Sequence, residues 1–488
     1  MRTRPSREDF GRDAAAAQLL ADRPHIDVHP TVFAGPEGGD RRGVQADDRK
    51  RFQLSVSFWF ACRHPIVAVC VARGQLRIRT SSLRTGSKAV RPTRPSSGFL
   101  ATLARSQTSL QCAGVASPKR LLFLFSDTGA GHRAAAEAVA AALARRYPDA
   151  FQVELFDPMR DHTVLAGRLT ALYGPITRRL PFLWGAAYHA TNLQPTVRLF
   201  QHAIGRGLRR KLRQALDPRP ALVASFHPLL NHVAVDVIPH GVPRVTVITD
   251  WINFHKAWTD LTADCIVCPS DAAVELCRRR GVPADRLVKA GLPIHPRFQD
   301  AIGQFTDKRS MRLKLRLRPH APTVLLAGGG DGTEPLRKYA AALARSPLDV
   351  QVLAVAGRNQ ALAEHLREDN HAGVHVFGFV DNMPELLLAS DLLVTRAGPG
   401  MIAEGLACGC PLLLTGYLPG QEEGNVKEVV DRGLGRFVPR PNDLVAAVSA
   451  WFAAPQAQRF EDAQKVRAAA NPDAAFQVAE VLVRLADG

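Results

Sequence analysis

Three glycine-rich turns, each placed between a short apolar run and a helix-forming stretch, hold the residues best suited to chemistry. The first runs from Ser126 to His132, Ser-Asp-Thr-Gly-Ala-Gly-His, and includes Asp127 and Gly131. Glycine lets a backbone turn tightly and approach a ligand. The exposed N–H groups of a helix start favour an anion. His132 stands at that start, where a neutral imidazole can take a proton from an acceptor hydroxyl. Glycine turns also serve simple packing, so this motif does not decide alone.

The second turn is Ala327-Gly328-Gly329-Gly330-Asp331-Gly332-Thr333. Three glycines in a row suit a bulky group lying against the backbone. No Gly-Lys-Ser/Thr follows, so it is not a P-loop, and the spacing differs from a dinucleotide fingerprint. The third is Thr395-Arg396-Ala397-Gly398-Pro399-Gly400, and Glu404 lies one turn into the helix that follows. Glu404 can accept hydrogen bonds from ribose hydroxyls. A carboxylate there also stabilises the helix through its dipole, by under about 1 kcal/mol. Downstream, Pro419-Gly420-Gln421-Glu422-Glu423-Gly424-Asn425 is crowded with bidentate hydrogen-bonding side chains suited to sugar hydroxyls.

The elements that must position these turns follow from periodicity. Residues 121–125 are an apolar run without alternation, the mark of a strand buried on both faces of a parallel sheet. Residues 134–145 are rich in alanine and predict a helix. Further strands are expected at 152–156, 221–225, 245–249, 265–268 and 287–290. A second series is expected at 323–327, 351–356, 374–377, 392–394 and 412–415. Strands alternating with helices argue for α/β, two doubly wound Rossmann-like domains facing a cleft. The expected boundaries are an N-terminal domain over 119–300, a Lys/Arg-rich linker with Pro319 and Pro322 over 301–322, a C-terminal domain over 323–475, and a tail or helix over 476–488.

Residues 1–118 read differently. They carry 19 Lys or Arg against 9 Asp or Glu, about half the excess behind the net charge of +18, and show no sustained period. They are expected to form a disordered or poorly packed extension; a start codon assigned too far upstream gives the same pattern. The first twenty residues lack a secretory apolar core. No stretch reaches the roughly 20 apolar residues of a spanning helix, since Arg63 and His64 break the best one. A soluble or peripheral protein in a reducing compartment is expected. The eight scattered cysteines do not form a disulfide scaffold, and the lone Cys265-x-x-Cys268 reads as two structural cysteines flanking a buried pair.

Five stretches together resemble the monogalactosyldiacylglycerol synthases: SDTGAGHRAAAEAV (126–139), GLPIHPRF (291–298), LLAGGGDG (325–332), TRAGPGMIAEGLACGCPLLL (395–414) and PGQEEGNVKEVVDRGLG (419–435). They are also similar to the bacterial diacylglycerol glucosyltransferases and, more distantly, to the MurG enzymes of glycosyltransferase family 28. The match covers about 119–470, in the family's order. The resemblance implies a GT-B fold, a UDP-sugar donor held mainly by the C-terminal domain, a β-linked product, and no catalytic metal or cofactor. In this resemblance His132 is similar to the family's catalytic-site histidine and Glu404 to its ribose-binding glutamate. Gln421, Glu422 and Asn425 are similar to its donor contacts. Gly329, Gly330, Gly398, Pro399 and Gly400 would face the pyrophosphate. Ala130 replaces a glycine common in the family, and 249–256 departs from the plant enzymes' His-Pro-rich stretch, which leaves the acceptor lipid open.

From His162 to Leu216 there is no Asp or Glu, but there are nine Arg or Lys, among them Arg178, Arg179, Arg209, Arg210 and Lys211. Phe182, Trp184, Tyr188 and other apolar groups interleave with them. That pattern suits an interfacial segment on anionic lipid, each basic residue contributing about 1 kcal/mol; a solvated basic face over ordinary core is the plainer alternative. No nucleic-acid module is present. The expected activity is transfer of galactose or glucose from a UDP-sugar to diacylglycerol, as in a 1,2-diacylglycerol 3-beta-galactosyltransferase, at the cytoplasmic face of a membrane. His132, Asp127 or Asp250 would serve as base. The rivals are a MurG-like N-acetylglucosaminyl transferase using a polyprenyl-linked acceptor, a GT-B-shaped UDP-sugar epimerase, and a non-catalytic nucleotide-binding regulator.

Overall fold

A computed structural model describes residues 67–72, 75–80, 117–127, 131–160, 181–192, 208–330 and 335–488. Contacts divide the chain into a unit over 1–108 and a unit over 109–488. In the first unit, β1 (Val67–Ala72) pairs antiparallel with β2 (Gln75–Thr80), Val67 opposite Thr80 and Ala72 opposite Gln75. The sequence reading expected no such element. Its signal is the β-branched Val67, Val69 and Val71, and the alternation of Leu76 and Ile78 with Arg77 and Arg79. The expected disorder of the rest of 1–118 concerns residues that, up to 116, lie outside those described.

The second unit holds two sheets. The first contains β3 (Lys119–Leu124), β4 (Phe151–Phe156), β5 (Leu222–Ser225), β6 (Arg244–Val247), β7 (Cys265–Cys268) and β8 (Leu287–Lys289). The second contains β9 (Thr323–Ala327), β10 (Gln351–Val355), β11 (Val374–Phe377), β12 (Leu392–Thr395), β13 (Leu412–Leu414) and β14 (Gly435–Phe437). Helices α1 (Gly131–Arg146), α2 (Pro181–Thr191), α3 (Arg297–Gly303), α4 (Lys308–Lys314), α5 (Pro399–Ala407), α6 (Glu423–Asp431) and α7 (Ala474–Asp487) serve the site or the join between halves. The strand orders are β4-β3-β5-β6-β7-β8 and β11-β10-β9-β12-β13-β14, with parallel pairing throughout. The order reverses between β3 and β5 in one sheet and between β9 and β12 in the other. Ligands of open α/β sheets bind outside the carboxyl ends of strands at such points.

Burial on both faces explains the apolar runs. Leu121 and Phe123 pack with α1, while Leu122 and Leu124 face Met159, Leu208 and Leu212. In the second sheet Val324 and Leu326 face one core, Leu325 and Ala327 the other. The last helix does not stay with the second sheet. Ala475, Val478, Ala479 and Leu482 of α7 are fully buried against Leu121, Phe123 and Ala135, and Arg146 pairs with Glu480 at 2.9 Å. The chain thus crosses back and ties the halves together.

The basic stretch after 300 is a packed join. Met311 and Leu317 enter the core of the second half. Arg312 of α4, 6% exposed, donates to the Ala389 carbonyl at 2.8 Å and to Asp391 at 2.7 Å. Asp391 also accepts from the Thr323 N–H at 2.9 Å. Removing one partner of a desolvated pair strands the other charge. Asp391→Ala is therefore expected to lower the unfolding free energy by about 3 kcal/mol or more in a denaturant titration. A loss below about 1 kcal/mol would place the pair with exposed ion pairs.

Candidate active site

In the first half, the ends of β3, β5 and β6 bring three predicted residues to the order reversal. β3 delivers Asp127, and α1 begins at Gly131 with His132 in its first turn. That turn carries no acidic residue, so its N–H groups keep their partial positive charge. Among the described residues, a Cβ at Gly131 would meet nothing within 4 Å. His132 Nδ1 lies 2.7 Å from Thr249 Oγ1, just past β6. Its ring sits edge-on to His227, past β5, at 4.8 Å, and 5.8 Å from Trp258. Burial pushes its pKa down to about 4, against a smaller opposing effect of the Phe226 backbone. The imidazole is therefore neutral at physiological pH.

Asp250, 5% exposed, accepts from Trp258 Nε1 at 2.6 Å and, across the cleft, from Gln421 Nε2 at 2.9 Å. Burial raises its pKa to about 6, and those two hydrogen bonds moderate the rise. Asp127 is exposed. Its Oδ2 lies 3.5 Å from Arg133 and 3.5 Å from Arg358 of the other half.

In the second half, Gly329 follows β9 with φ +73°, and among the described residues nothing lies within 4 Å of where its Cβ would stand. The Gly330 carbonyl accepts from the Arg358 N–H at 2.9 Å. Gly357, φ +59°, lies against that turn: a Cβ on it would come within 2.6 Å of the Gly330 oxygen. No other residue fits there, and nothing in the sequence reading singled out either Gly357 or Arg358.

The turn after β12 is braced from beneath. Asn425, 1% exposed, donates to the Ala397 carbonyl at 2.9 Å. Glu422, 2% exposed, accepts from the Leu418 N–H at 2.8 Å and lies 3.1 Å from Arg396 Nε. The structure places both against backbone and Arg396. Gly398 precedes α5 and Pro399 opens it; the first turn has no acidic residue and no side-chain cap. Among the described residues, a Cβ at Gly400 would meet nothing within 4 Å. Glu404, a turn later, is pushed up to about 7 by burial, against the pull of Arg297.

The halves meet at this point. Helices α1 and α5 touch, and Asp127–Arg358 and Asp250–Gln421 cross between them. The loop before α6 also presses on α2: a Cβ at Gly420, φ +82°, would come 2.5 Å from Tyr188, and one at Gly185 2.8 Å from Pro419. Tyr188 is thus buried, 7% exposed, where the sequence reading expected an exposed lipid-facing group. Of the other residues in that basic segment, Arg178 and Arg179 lie outside those described. Phe182 is 65% exposed, Trp184 and Lys211 are half-buried, and Arg210 is exposed. Arg209 pairs with Asp236 at 2.9 Å. Among the described residues no helix is long and apolar enough to cross a membrane. Cys265, Cys268 and Cys277 are buried.

Two parallel α/β halves, closed by a last helix that returns to the first, define the GT-B class of glycosyltransferase fold. The chain shares this fold with UDP-GlcNAc 2-epimerase from Neisseria meningitidis (TM-score 0.51, 13% identity, 75% of this chain and 100% of that one). It also shares it with the glycotransferase of kitacinnamycin (TM-score 0.50, 18% identity, 75% and 99%). Residues 132–294 match the monogalactosyldiacylglycerol (MGDG) synthase family model, and 323–478 the glycosyltransferase family 28 C-terminal domain. The chloroplastic monogalactosyldiacylglycerol synthase of Spinacia oleracea is 33% identical over 392 residues, 76% of this chain and 73% of that relative. Synthase 1 of Arabidopsis thaliana is 34% identical over 376 residues, 74% and 70%. The chain belongs to the monogalactosyldiacylglycerol synthase family of glycosyltransferases.

Proposed function

We propose that the protein transfers galactose from UDP-galactose to the free hydroxyl of diacylglycerol at the cytoplasmic face of a membrane, giving a β-galactolipid. The observation that carries this reading is the Asp250–Gln421 hydrogen bond, which joins the segment that holds His132 through Thr249 to the loop whose Glu422 lies beside Gly398, where α5 starts with no acidic residue in its first turn. The donor diphosphate lies on the N–H groups of α5 and against Gly329, and the acceptor oxygen approaches from the side of His132. As that oxygen bonds to the anomeric carbon, its proton passes to the imidazole. The bond from the anomeric carbon to the diphosphate breaks, and UDP leaves with the electron pair. Attack from the opposite face inverts the centre. Thr249 fixes the ring. The helix starts stabilise the charge developing on the leaving group. His132 is favoured as base over Asp127, which sits between two arginines; Asp250, bonded to Trp258 and Gln421, is placed to hold the two sides of the cleft together. A net charge of +18 and the exposed Phe182 support an anionic lipid surface as the place of work.

The pH dependence follows from the same groups. Asp250 gains a proton as pH falls through about 6, which weakens its hold on Gln421, while His132 stays neutral down to about 4. kcat/KM is expected to fall with decreasing pH in steps near 7 and near 6, where Glu404 and then Asp250 gain protons. The lower inflection should vanish in Asp250→Asn. A profile that stays level to pH 5 would separate Asp250 from activity.

The functional test uses purified protein, vesicles of diacylglycerol with anionic phospholipid, and a panel of labelled UDP-sugars. The expected product is a β-galactosyl diacylglycerol, identified by mass and by the coupling of its anomeric proton. Lipid product from UDP-glucose alone would change the sugar. No lipid-linked sugar from any donor would remove the reading and favour a nucleotide-binding regulator.

A further inference from the structure

We infer that Asp127 acts as a built-in stand-in for the donor diphosphate, holding the Arg358 guanidinium until a nucleotide diphosphate takes its place. The inference rests on the UDP-sugar reading above and goes further, since it gives the two residues opposed effects on donor binding.

Arg358 is anchored where a phosphate clamp belongs. Its backbone N–H holds the Gly330 carbonyl at 2.9 Å. Gly357 just before it packs so closely on Gly329 and Gly330 that no side chain fits between them. The residue therefore moves as one piece with the open backbone at Gly329. Its side chain, 43% exposed, runs from that turn towards the other half and ends 3.5 Å from Asp127 Oδ2. The same oxygen lies 3.5 Å from Arg133, in the first turns of α1 beside Gly131 and His132. A carboxylate thus sits between two guanidiniums at the place where both glycine-backed turns face each other.

The magnitudes favour exchange. Each ion pair is long and half-exposed, and such pairs contribute about 0–1 kcal/mol. A diphosphate carries more charge and accepts paired, charge-assisted hydrogen bonds from a guanidinium, which are roughly twice as strong as neutral ones. Arg358 also lies over the Phe379 ring at 5.9 Å, so Asp127 is one of its partners, and a pair this weak yields once a diphosphate arrives. The Asp127 backbone N–H is bonded to Asp157 at 3.1 Å, which anchors the main chain of Asp127 while the arginine changes partner.

Calorimetry with two probes, UDP and uridine, tests this on the full chain without turnover. In Arg358→Gln the UDP affinity should fall about 10- to 100-fold, the worth of one hydrogen bond to a charged group, with uridine affinity unchanged. Arg358→Lys should lie between. Asp127→Asn should tighten UDP about 2- to 5-fold by removing a competitor worth under about 1 kcal/mol, again without effect on uridine. Equal losses for UDP and uridine in Arg358→Gln would mark a structural role and overturn the inference. So would an unchanged UDP affinity in that variant, or weaker UDP binding in Asp127→Asn. Wild-type protein that binds uridine and UDP equally would overturn it as well, with the nucleotide site standing. Wild-type protein that binds neither would defeat the donor reading itself and this inference along with it.

Discussion

Replacing His132 by alanine is expected to lower turnover about 10²- to 10⁴-fold, the usual worth of a general base. Donor KM should change by less than about threefold. The expectation rests on position and protonation together. The imidazole is held at Nδ1 by Thr249 and kept neutral by burial, the protonation state a base must have before the attack. The substitution also removes packing against His227 and Trp258, so the melting temperature must be measured beside the rates. A folded His132→Ala protein with turnover within about fivefold of wild type would move the base elsewhere. A rise in donor KM with kcat preserved would make His132 a binding group.

The second large effect is expected at Gly400. A Cβ there meets nothing within 4 Å among the described residues, and a valine near a helix start costs no more helix propensity than glycine. Gly400→Val should therefore fold with an unchanged melting temperature. Its methyl groups would stand where the diphosphate meets the N–H groups of α5. Losing one or two such bonds, at about 1.5–3 kcal/mol each, predicts a donor KM about 10²-fold higher. KM for the lipid should be unaffected. Steady-state kinetics with donor and acceptor varied in turn reads the difference. Normal donor KM would put the diphosphate away from α5.

Much of the frame is legible in local sequence because its strands are buried on both faces. Runs such as 265–268 and 323–327 are apolar or buried throughout, and the observed strands coincide with them. The short β14 at Gly435–Phe437 is not legible in the sequence, because glycine and arginine mask it. The hairpin at 67–80 was hidden by the surrounding Arg- and Ser-rich sequence. The site divides in the same way. His132 and the glycine turns declare themselves by residue type next to a strand end. The roles that depend on distant partners do not. Tyr188 looks like a lipid-facing aromatic until Gly420 covers it. Glu422 and Asn425 look like sugar-binding side chains in a polar loop, and the fold adds contacts that the sequence does not show, to the Leu418 N–H and the Ala397 carbonyl. Arg358 has no motif of its own; only the approach of the two halves gives it Asp127. The last helix resembles a tail because its partners, Leu121 and Phe123, lie more than three hundred residues earlier.

A crystal structure with UDP bound tests the central geometry most directly. The diphosphate is expected within about 3 Å of backbone N–H groups at the start of α5, beside Gly329, with the imidazole of His132 across an open space wide enough for one hexose. A nucleotide seated on the first sheet, or turned so that its phosphates point away from α1, would contradict the account.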